Sequence, residues 1–474
     1  MTHVHLIGIG GAGLSAIARV LLERGYTVSG SDRSPSPQAH DLAEAGVRVA
    51  LGHRAENIRG ADLVVRSSAV PDENPEVQAA LTAGIPVLKR AQFLGQIMQD
   101  QQVIAVAGTH GKTTTTAMIA WILAHLGADP SYIIGSTAKN LNNNAHAGQG
   151  SAFVIEADEY DRMFLGLNPH VAVVTYLEHD HPDCYPTMDD YRAAFAAFVQ
   201  RLTPGGLLLT CYDTPETRQL AQAIPAGARA LTYGLTGGAD YRAEDVHPNQ
   251  HGGFDYQAFY QPAAGPRLAL GLIRLQAPGE HNVRNSLAAL AAVHQILMPA
   301  HHLPQMAQAL AEFSGTDRRF DVLGQAHGIT VIDDYAHHPT EIRATLAAAR
   351  ARYPHSRIWA VWQPHTYSRT STLLPAFAAS FDHADRVLVT EVYAAREQAR
   401  DFNNFSAVQV VSSMSHPAAQ FSPTLTGTVD LLLGQLQPGD ILLVLSAGDA
   451  DQISARVLAT LRAAASPANV RKEG

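Results

Sequence analysis

The chain has 474 residues, 46% of them hydrophobic, and a formal net charge of −9. This length suffices for two to four domains with sizeable cores, and the acidic balance leaves no footprint for nucleic acid. Cys184 and Cys211 form neither a metal-type spacing nor a disulfide framework. No apolar run approaches the roughly 18 residues of a membrane span, and the amino terminus lacks the basic stretch of a signal peptide, so a soluble cytoplasmic protein is expected.

Residues 3–32 read strand, loop, helix, strand. Gly8, Gly10 and Gly13, with Gly11 among them, fit G-x-G-x-x-G between an apolar run and a helical pattern of Leu14, Ile17, Ala18, Leu21 and Leu22. Asp32 closes the second strand, 19 residues past Gly13, where a Rossmann unit carries a ribose-binding acid. Such a loop reads a diphosphate, not a nicotinamide, so any diphosphate would serve. Strands are predicted at 46–50, 62–67 and 84–88. Ser67 and Ser68 end one of them, either as ligand contacts in the crevice of an open sheet or as a plain turn.

A second unit begins near residue 101. In QVIAVAGTHGKTTTT (102–116) a short apolar strand runs into Gly108-Thr109-His110-Gly111-Lys112-Thr113-Thr114 and then into a helix. The loop and helix start turn several backbone N–H groups to one point, and Lys112 adds a cation for outer phosphates. The Thr113 hydroxyl is placed for the Mg²⁺ that accompanies a nucleotide, so this stretch predicts an ATP site. The longer P-loop pattern fails, because its first glycine position is Val106.

The apolar strand at 152–156 ends in Glu156, followed by three more acids in EADEYD (156–161). A carboxylate at a strand end beside a phosphate loop is the usual holder of Mg²⁺. The next strand ends in Glu178-His179-Asp180-His181, a histidine–carboxylate cluster able to take a second divalent ion. In GEHNVRNSLAALAA (279–292), Asn282 is either a contact to a base edge or a helix N-cap. After a linker at 314–320 a third α/β unit follows, with strands at 328–334, 357–362, 386–391 and 441–446. Two of these strands end in DDYAHHPTE and QPHTYSRT, polar clusters of the kind that build a site at strand ends. Residues 465–474 read as a frayed tail.

Together HLIGIGGAGLSAIA, VAGTHGKTTTT, GEHNVRNSLAA, RRFD, DDYAHHPTEI, QPHTYSRT and PGDILLVLSAGD resemble the Mur ligases that build the peptidoglycan stem peptide, above all the MurC type. The resemblance spans residues 5–449 and implies an α/β protein of three domains: a Rossmann-like UDP-sugar domain (1–100), a central P-loop ATPase (101–317) and a Rossmann-like domain (318–474) that closes on ATP and amino acid. It implies ATP and Mg²⁺ as cofactors and UDP-N-acetylmuramate and L-alanine as substrates, in a cytoplasmic monomer or homodimer with no nucleic-acid or membrane partner. Carried over by position, the first glycine loop with Asp32, Ser67 and Ser68 would hold the UDP-sugar. Lys112 would meet the β- and γ-phosphates, Thr113 and Glu156 the first metal, and His181 the second. Asn282 would contact adenine, Arg319 and Asp334 would hold phosphate and ribose, and His337 or His338 would meet the incoming amine.

No lysine occurs from 140 to 471, so the carbamylated lysine of the D, E and F types is absent, as in the MurC type. Two segments depart from that type: EADEYD stands where EADESD is usual, and Thr175-Tyr-Leu-Glu178 where TNIE is usual. EADEYD looks like the muropeptide-recycling ligase, which adds a tripeptide to the same sugar nucleotide, while the intact first glycine loop and QPHTYSRT do not. An NAD-dependent oxidoreductase would rest on the first glycine loop alone and leave the ATP loop without a role. A non-catalytic nucleotide-binding descendant would not need Lys112, Glu156 and His181.

Overall fold

A computed structural model describes residues 2–297 and 302–464; the tail reading at 465–474 lies outside them. Three sheets follow one another along the chain. The first contains β1 (His3–Ile7), β2 (Thr27–Asp32), β3 (Arg48–Leu51), β4 (Leu63–Arg66) and β5 (Val87–Lys89), in the order β3-β2-β1-β4-β5. Every pairing in it is parallel, so all strand ends, including the first glycine loop after β1, open on one edge. β3 and β5 start two and three residues later than the sequence predicts, because Gly46 and Gly84 take positive φ and terminate the preceding helices.

The central sheet has ten strands: β6 (Gln102–Ala107), β7 (Ser131–Ala138), β8 (Asn143–His146), β9 (Ala152–Glu156), β10 (Val171–Val174), β11 (Leu207–Cys211), β12 (Arg229–Gly234), β13 (Tyr241–Pro248), β14 (Phe254–Tyr260) and β15 (Leu268–Arg274). Its order is β15-β14-β13-β12-β11-β10-β6-β9-β7-β8, which sets the phosphate-loop strand β6 between β10 and β9. Glu156 and the segment 175–181 therefore emerge on either side of the loop. The antiparallel run β13–β15 is an addition that the sequence analysis leaves unassigned. Behind the loop, helix Lys112–His125 packs on helix Glu280–Leu297. Ala117 and Ala120 on one and Ala288, Ala289, Ala291 and Ala292 on the other are fully buried, and small side chains permit close helix approach.

The third sheet holds β16 (Asp321–Ala326), β17 (Ile329–Asp334), β18 (Ile358–Trp362), β19 (Arg386–Val389), β20 (Ala419–Phe421) and β21 (Ile441–Leu445), ordered β16-β17-β21-β18-β19-β20. It is parallel except for the edge strand β16. Its inner strands are apolar on both faces, as helix-covered parallel strands must be.

The two boundaries between sheets differ in kind. One hydrophobic cluster runs from Val4 and Leu21 through Phe93 and Met98 to Phe153 and Phe195, joining the first and central units. Among the described residues no apolar cluster joins the central unit to the third, whose two clusters are its own. That second boundary is polar: Arg369 to Asp180 (2.8 Å), Thr340 to Glu178 (3.0 Å) and Lys139 to Asp321 (2.5 Å).

Candidate functional site

The phosphate loop turns between β6 and its helix on Gly108, at φ +132°, and Gly111, at φ +80°. Any Cβ on Gly108 would run into Thr175 Oγ1 and come within 2.9 Å of the Tyr176 backbone, so the close approach of β10 demands glycine there. Lys112 Nζ donates to the Gly108 carbonyl (2.6 Å) and to Glu159 Oε1 (2.9 Å). Burial works against its charge, but Glu159 and Glu156 outweigh that and raise its pKa. Thr113 Oγ1 donates to Glu156 Oε1 (3.0 Å), and Gly135 N–H donates to the other Glu156 oxygen (2.7 Å). Burial pushes the Glu156 carboxyl upward, against the pull of Lys112.

Glu159 is fully buried, and its Oε2 has no hydrogen-bond partner. Its Oε1 lies 3.9 Å from His181 Nε2 and accepts from Tyr191 (3.2 Å). A hydroxyl, two carboxylates and an imidazole thus surround the loop, with one buried carboxylate oxygen unmatched. Hard oxygen donors of this kind fit Mg²⁺. Glu159 stands in the quoted acidic segment, but only the fold separates its position from that of Glu156.

Two cavities meet at the loop. One, of about 620 Å³, is lined by His110, Thr114, Tyr176, His281, Asn282 and Asp334 among others. The second, of about 840 Å³, is lined by Lys112, Glu156, His181, His337, His365 and Arg369 among others. Gly111, Thr113, Arg319 and Glu341 face both, so the two cavities adjoin at these four residues.

Helix Glu280–Leu297 begins before Asn282, so this residue lies inside the first turn and is not the N-cap. Its amide nitrogen donates to the Pro278 carbonyl (2.8 Å) and its oxygen accepts from Asn285 (3.0 Å), which fixes its edge toward the first cavity. Asp334 lines the same cavity, yet its oxygens accept from Phe320 N and Ala336 N, each at 2.7 Å. It therefore shapes the loop that carries Arg319, and burial lifts its pKa to about 6.

His337 and His338 separate. His338 is 2% exposed, its Nδ1 caps helix Pro339–Arg352 by accepting from Thr340 N, and it lines neither cavity. His337 faces the second cavity, and its Nδ1 sits 2.9 Å from the Tyr335 carbonyl. A carbonyl accepts only, so Nδ1 carries the proton and Nε2 keeps its lone pair. Burial drives the His337 pKa down to about 3, favouring that neutral form. In the same cavity Arg369 pairs with Asp180 (2.8 Å), which holds the Asp180 carboxyl well below its ordinary value despite burial.

At the first glycine loop Asp32 Oδ2 accepts from Gly10 N (2.9 Å), so the acid braces the loop that it was expected to supplement. Ser67 lies against Gly8, where an added Cβ would be 3.1 Å from its own. Gly8, Gly10, Gly11, Gly13, Asp32, Ser67 and Ser68 line neither cavity; the second cavity reaches this unit at Ala12, the first residue of the helix after the loop, at Ser15 and Arg19 farther along it, and at Pro37, Gln38, Asp41 and Leu42. Sequence reasoning missed Arg90. Its guanidinium lies across Gly13, so that any Cβ there would run into Nη1. It reaches Asp158 of the central unit (3.2 Å), and its Nε is buried without a partner. No spacing rule links positions 13, 90 and 158.

Known proteins match nearly all of the chain. Family models match at residues 3–102 (Mur ligase family, catalytic domain), 106–293 (Mur ligase middle domain) and 318–448 (Mur ligase, glutamate ligase domain). A UDP-N-acetylmuramate–L-alanine ligase of Roseiflexus sp. (strain RS-1) is 42% identical over 97% of this chain and 99% of its own. The enzyme of the same name from Magnetococcus marinus is 44% identical over 94% of each chain. Among solved structures, the UDP-N-acetylmuramate–alanine ligase MurC of Thermotoga maritima superposes with a TM-score of 0.80 at 28% identity, covering 98% of this chain and 100% of its own. A murein peptide ligase of Psychrobacter arcticus gives 0.73 at 26% identity, covering 97% and 99%.

Proposed function

The chain belongs to the Mur ligase family, and from that premise we propose that it joins L-alanine to the carboxylate of UDP-N-acetylmuramate at the expense of ATP, in peptidoglycan precursor synthesis. The observation that carries this reading is the meeting of two cavities at the phosphate loop, one suited to a nucleotide and one to an acceptor. ATP lies in the first, with its base near Asn282 and its phosphates over Gly111, Lys112 and Thr113. The muramate carboxylate enters the second and takes the γ-phosphoryl group through one of its oxygens, releasing ADP. Lys112 and Arg319 bear the charge that gathers on the phosphoryl oxygens. Mg²⁺ held by Thr113 and Glu156, with a second ion at His181, would offset the repulsion between carboxylate and phosphate.

The amine of L-alanine then attacks the acyl phosphate carbon, and the tetrahedral intermediate expels phosphate. His337 is the better placed of the two histidines to take the amine proton, since its free Nε2 belongs to the cavity side while His338 is committed to a helix cap. The first glycine loop, with Arg90 beside it, holds the UDP diphosphate.

Phosphate release with ATP, Mg²⁺ and UDP-N-acetylmuramate, adding L-alanine, L-serine, glycine or L-Ala-γ-D-Glu-diaminopimelate in turn, tests the reading. Fastest turnover with L-alanine is the expected result. One observation favours a second reading, tripeptide recycling. Tyr160, the residue that departs from the usual EADESD, lines the acceptor cavity and donates to Asp183 (3.1 Å), with Arg396 over its ring at 4.5 Å. Turnover with the tripeptide alone would establish it.

A further inference from the structure

The side chain of His110, at the crest of the phosphate loop, has no part in holding phosphate through backbone N–H groups. It lies instead between two carboxylates from different units. Nε2 is 3.0 Å from Glu178 Oε2 of the central unit, and Nδ1 is 3.2 Å from Glu341 Oε1 of the third. Carboxylates only accept, so a ring bonded to both must donate from both nitrogens and is an imidazolium. Glu178 is held from across the same boundary by the Thr340 hydroxyl (3.0 Å), and Glu341 also receives the His337 N–H (3.1 Å). With Glu341 withdrawn, the ring would keep one carboxylate and one free nitrogen, and a neutral tautomer would satisfy it.

We propose that His110 couples docking of the third unit to the charge of the phosphate loop: it is a positioning residue that ties the loop to Glu341 on closure and becomes a cation at the junction of the two cavities when it does so. A polar boundary of this kind can open and close at little cost. An apolar one, like that between the first and central units, would be expensive to separate repeatedly. His110, Glu178 and His338 also bring three metal-type donor atoms within 4.8 Å of one another, but the two carboxylates already saturate the His110 ring, so the group is an ion-pair cluster.

The surroundings agree. Facing His110 are Glu178 and Glu341, the His338 ring at 4.8 Å, the Tyr176 ring at 5.6 Å, and Arg319, 3.8 Å from Glu341. Lys112 shares its loop, and His281 lines the same cavity. Burial opposes a charge on His110, yet its hydrogen bonds to Glu178 and Glu341 prevail and raise its pKa to about 9, while Glu341 is held well below its ordinary value. The sign of the linkage follows. Closed, both carboxylates favour the protonated ring; open, it keeps Glu178 but loses Glu341, so its pKa is lower and closing takes up a proton at a pH between the two values.

The test compares wild type, His110→Asn, Glu341→Gln and the double variant. Each single change should lower kcat about tenfold or more while leaving the KM for ATP within a few-fold, and the double variant should fall no further than the worse single one. Calorimetry of binding a non-hydrolysable ATP analogue with UDP-N-acetylmuramate, in buffers of different ionisation enthalpy at pH 8, should show proton uptake by wild type that His110→Asn loses. Small-angle scattering should show those ligands compacting wild type more than either variant. Additive losses, wild-type kcat in His110→Asn, or unchanged proton uptake would overturn the proposal. The kcat arm rests on the ligase reading and the other two only on binding of the two nucleotides: if wild type binds both yet forms no ADP, that reading fails, and proton uptake with compaction still decides the role of His110.

Discussion

The molecule contains two strand–glycine loop–helix units, and they solve one problem differently. Both turn backbone N–H groups and a helix N-terminus toward an anion. In the central unit the cation belongs to the loop itself, as Lys112, and buried acids oppose it from β9 and the segment after it. The first loop has no lysine or arginine of its own. Its cation is Arg90, from the far side of the unit, laid across Gly13 and paired with Asp158 of the central unit. Asp158 occupies only Nη2 of this guanidinium and its Nε is buried without a partner, so donors remain for an anion. The same backbone device is therefore autonomous in one unit and completed by tertiary structure in the other.

The sharpest break of this comparison is Lys112→Ala. ADP formation should fall by about 10²–10³-fold, while calorimetry should find UDP-sugar binding nearly intact. Joint loss of both would mean the loops do not divide the work. Next comes one carboxylate from each of the two units, Glu76 and Glu156, with pKa values shifted in opposite directions. Glu76, fully buried beneath the first unit, is depressed to about 2; burial resists, but hydrogen bonds from His5, Ser31 and Asn57 win. A depressed pKa stabilises above the unfolded value near 4.5 and is lost as pH falls from there toward 2. Glu76→Gln should therefore cost the first unit roughly 2–3 kcal/mol at neutral pH, with the difference from wild type shrinking in thermal melts below pH 4. Glu156, raised by burial, gives no such stabilisation.

The glycines sharpen the contrast further. Gly108→Ala meets backbone and Thr175 at a positive φ and should cost about 1–3 kcal/mol in denaturant melts, with activity lost alongside. Gly13→Ala meets only the end of a flexible arginine, so stability should hold while the KM for UDP-N-acetylmuramate rises. Arg90→Gln should produce that KM effect directly, about tenfold, with the KM for ATP unmoved. An unchanged UDP-sugar KM in both variants would remove Arg90 from the diphosphate site.

Much of the site was legible because its chemistry is local in sequence. A strand, two glycines, a lysine and threonines within a dozen residues can only turn one way, and Glu156 at the end of an apolar run lands beside them. The separation of His337 from His338 was not legible: adjacent residues of one motif face a cavity and a helix cap, and only the start of helix Pro339–Arg352 decides which is which. Asp32 shows the same limit. The sequence places an acid at the end of β2, but whether it meets a ribose or the loop's own Gly10 N–H depends on how the loop folds back.

By itself, the amino-acid sequence determined the α/β class, both glycine loops, the acids and histidines at strand ends, and the family that these motifs resemble. Short-range periodicity and turn chemistry carry that information in runs of a few residues. Tertiary structure alone decided which side chains distant in sequence meet: Arg90 with Gly13 and Asp158, Glu159 with Lys112, Arg369 with Asp180, and His110 with Glu341. It also decided that one boundary is apolar and the other polar. Partners separated by tens to hundreds of residues leave no spacing to read, because their distance is set by the packing of whole sheets and not by the geometry of any one element.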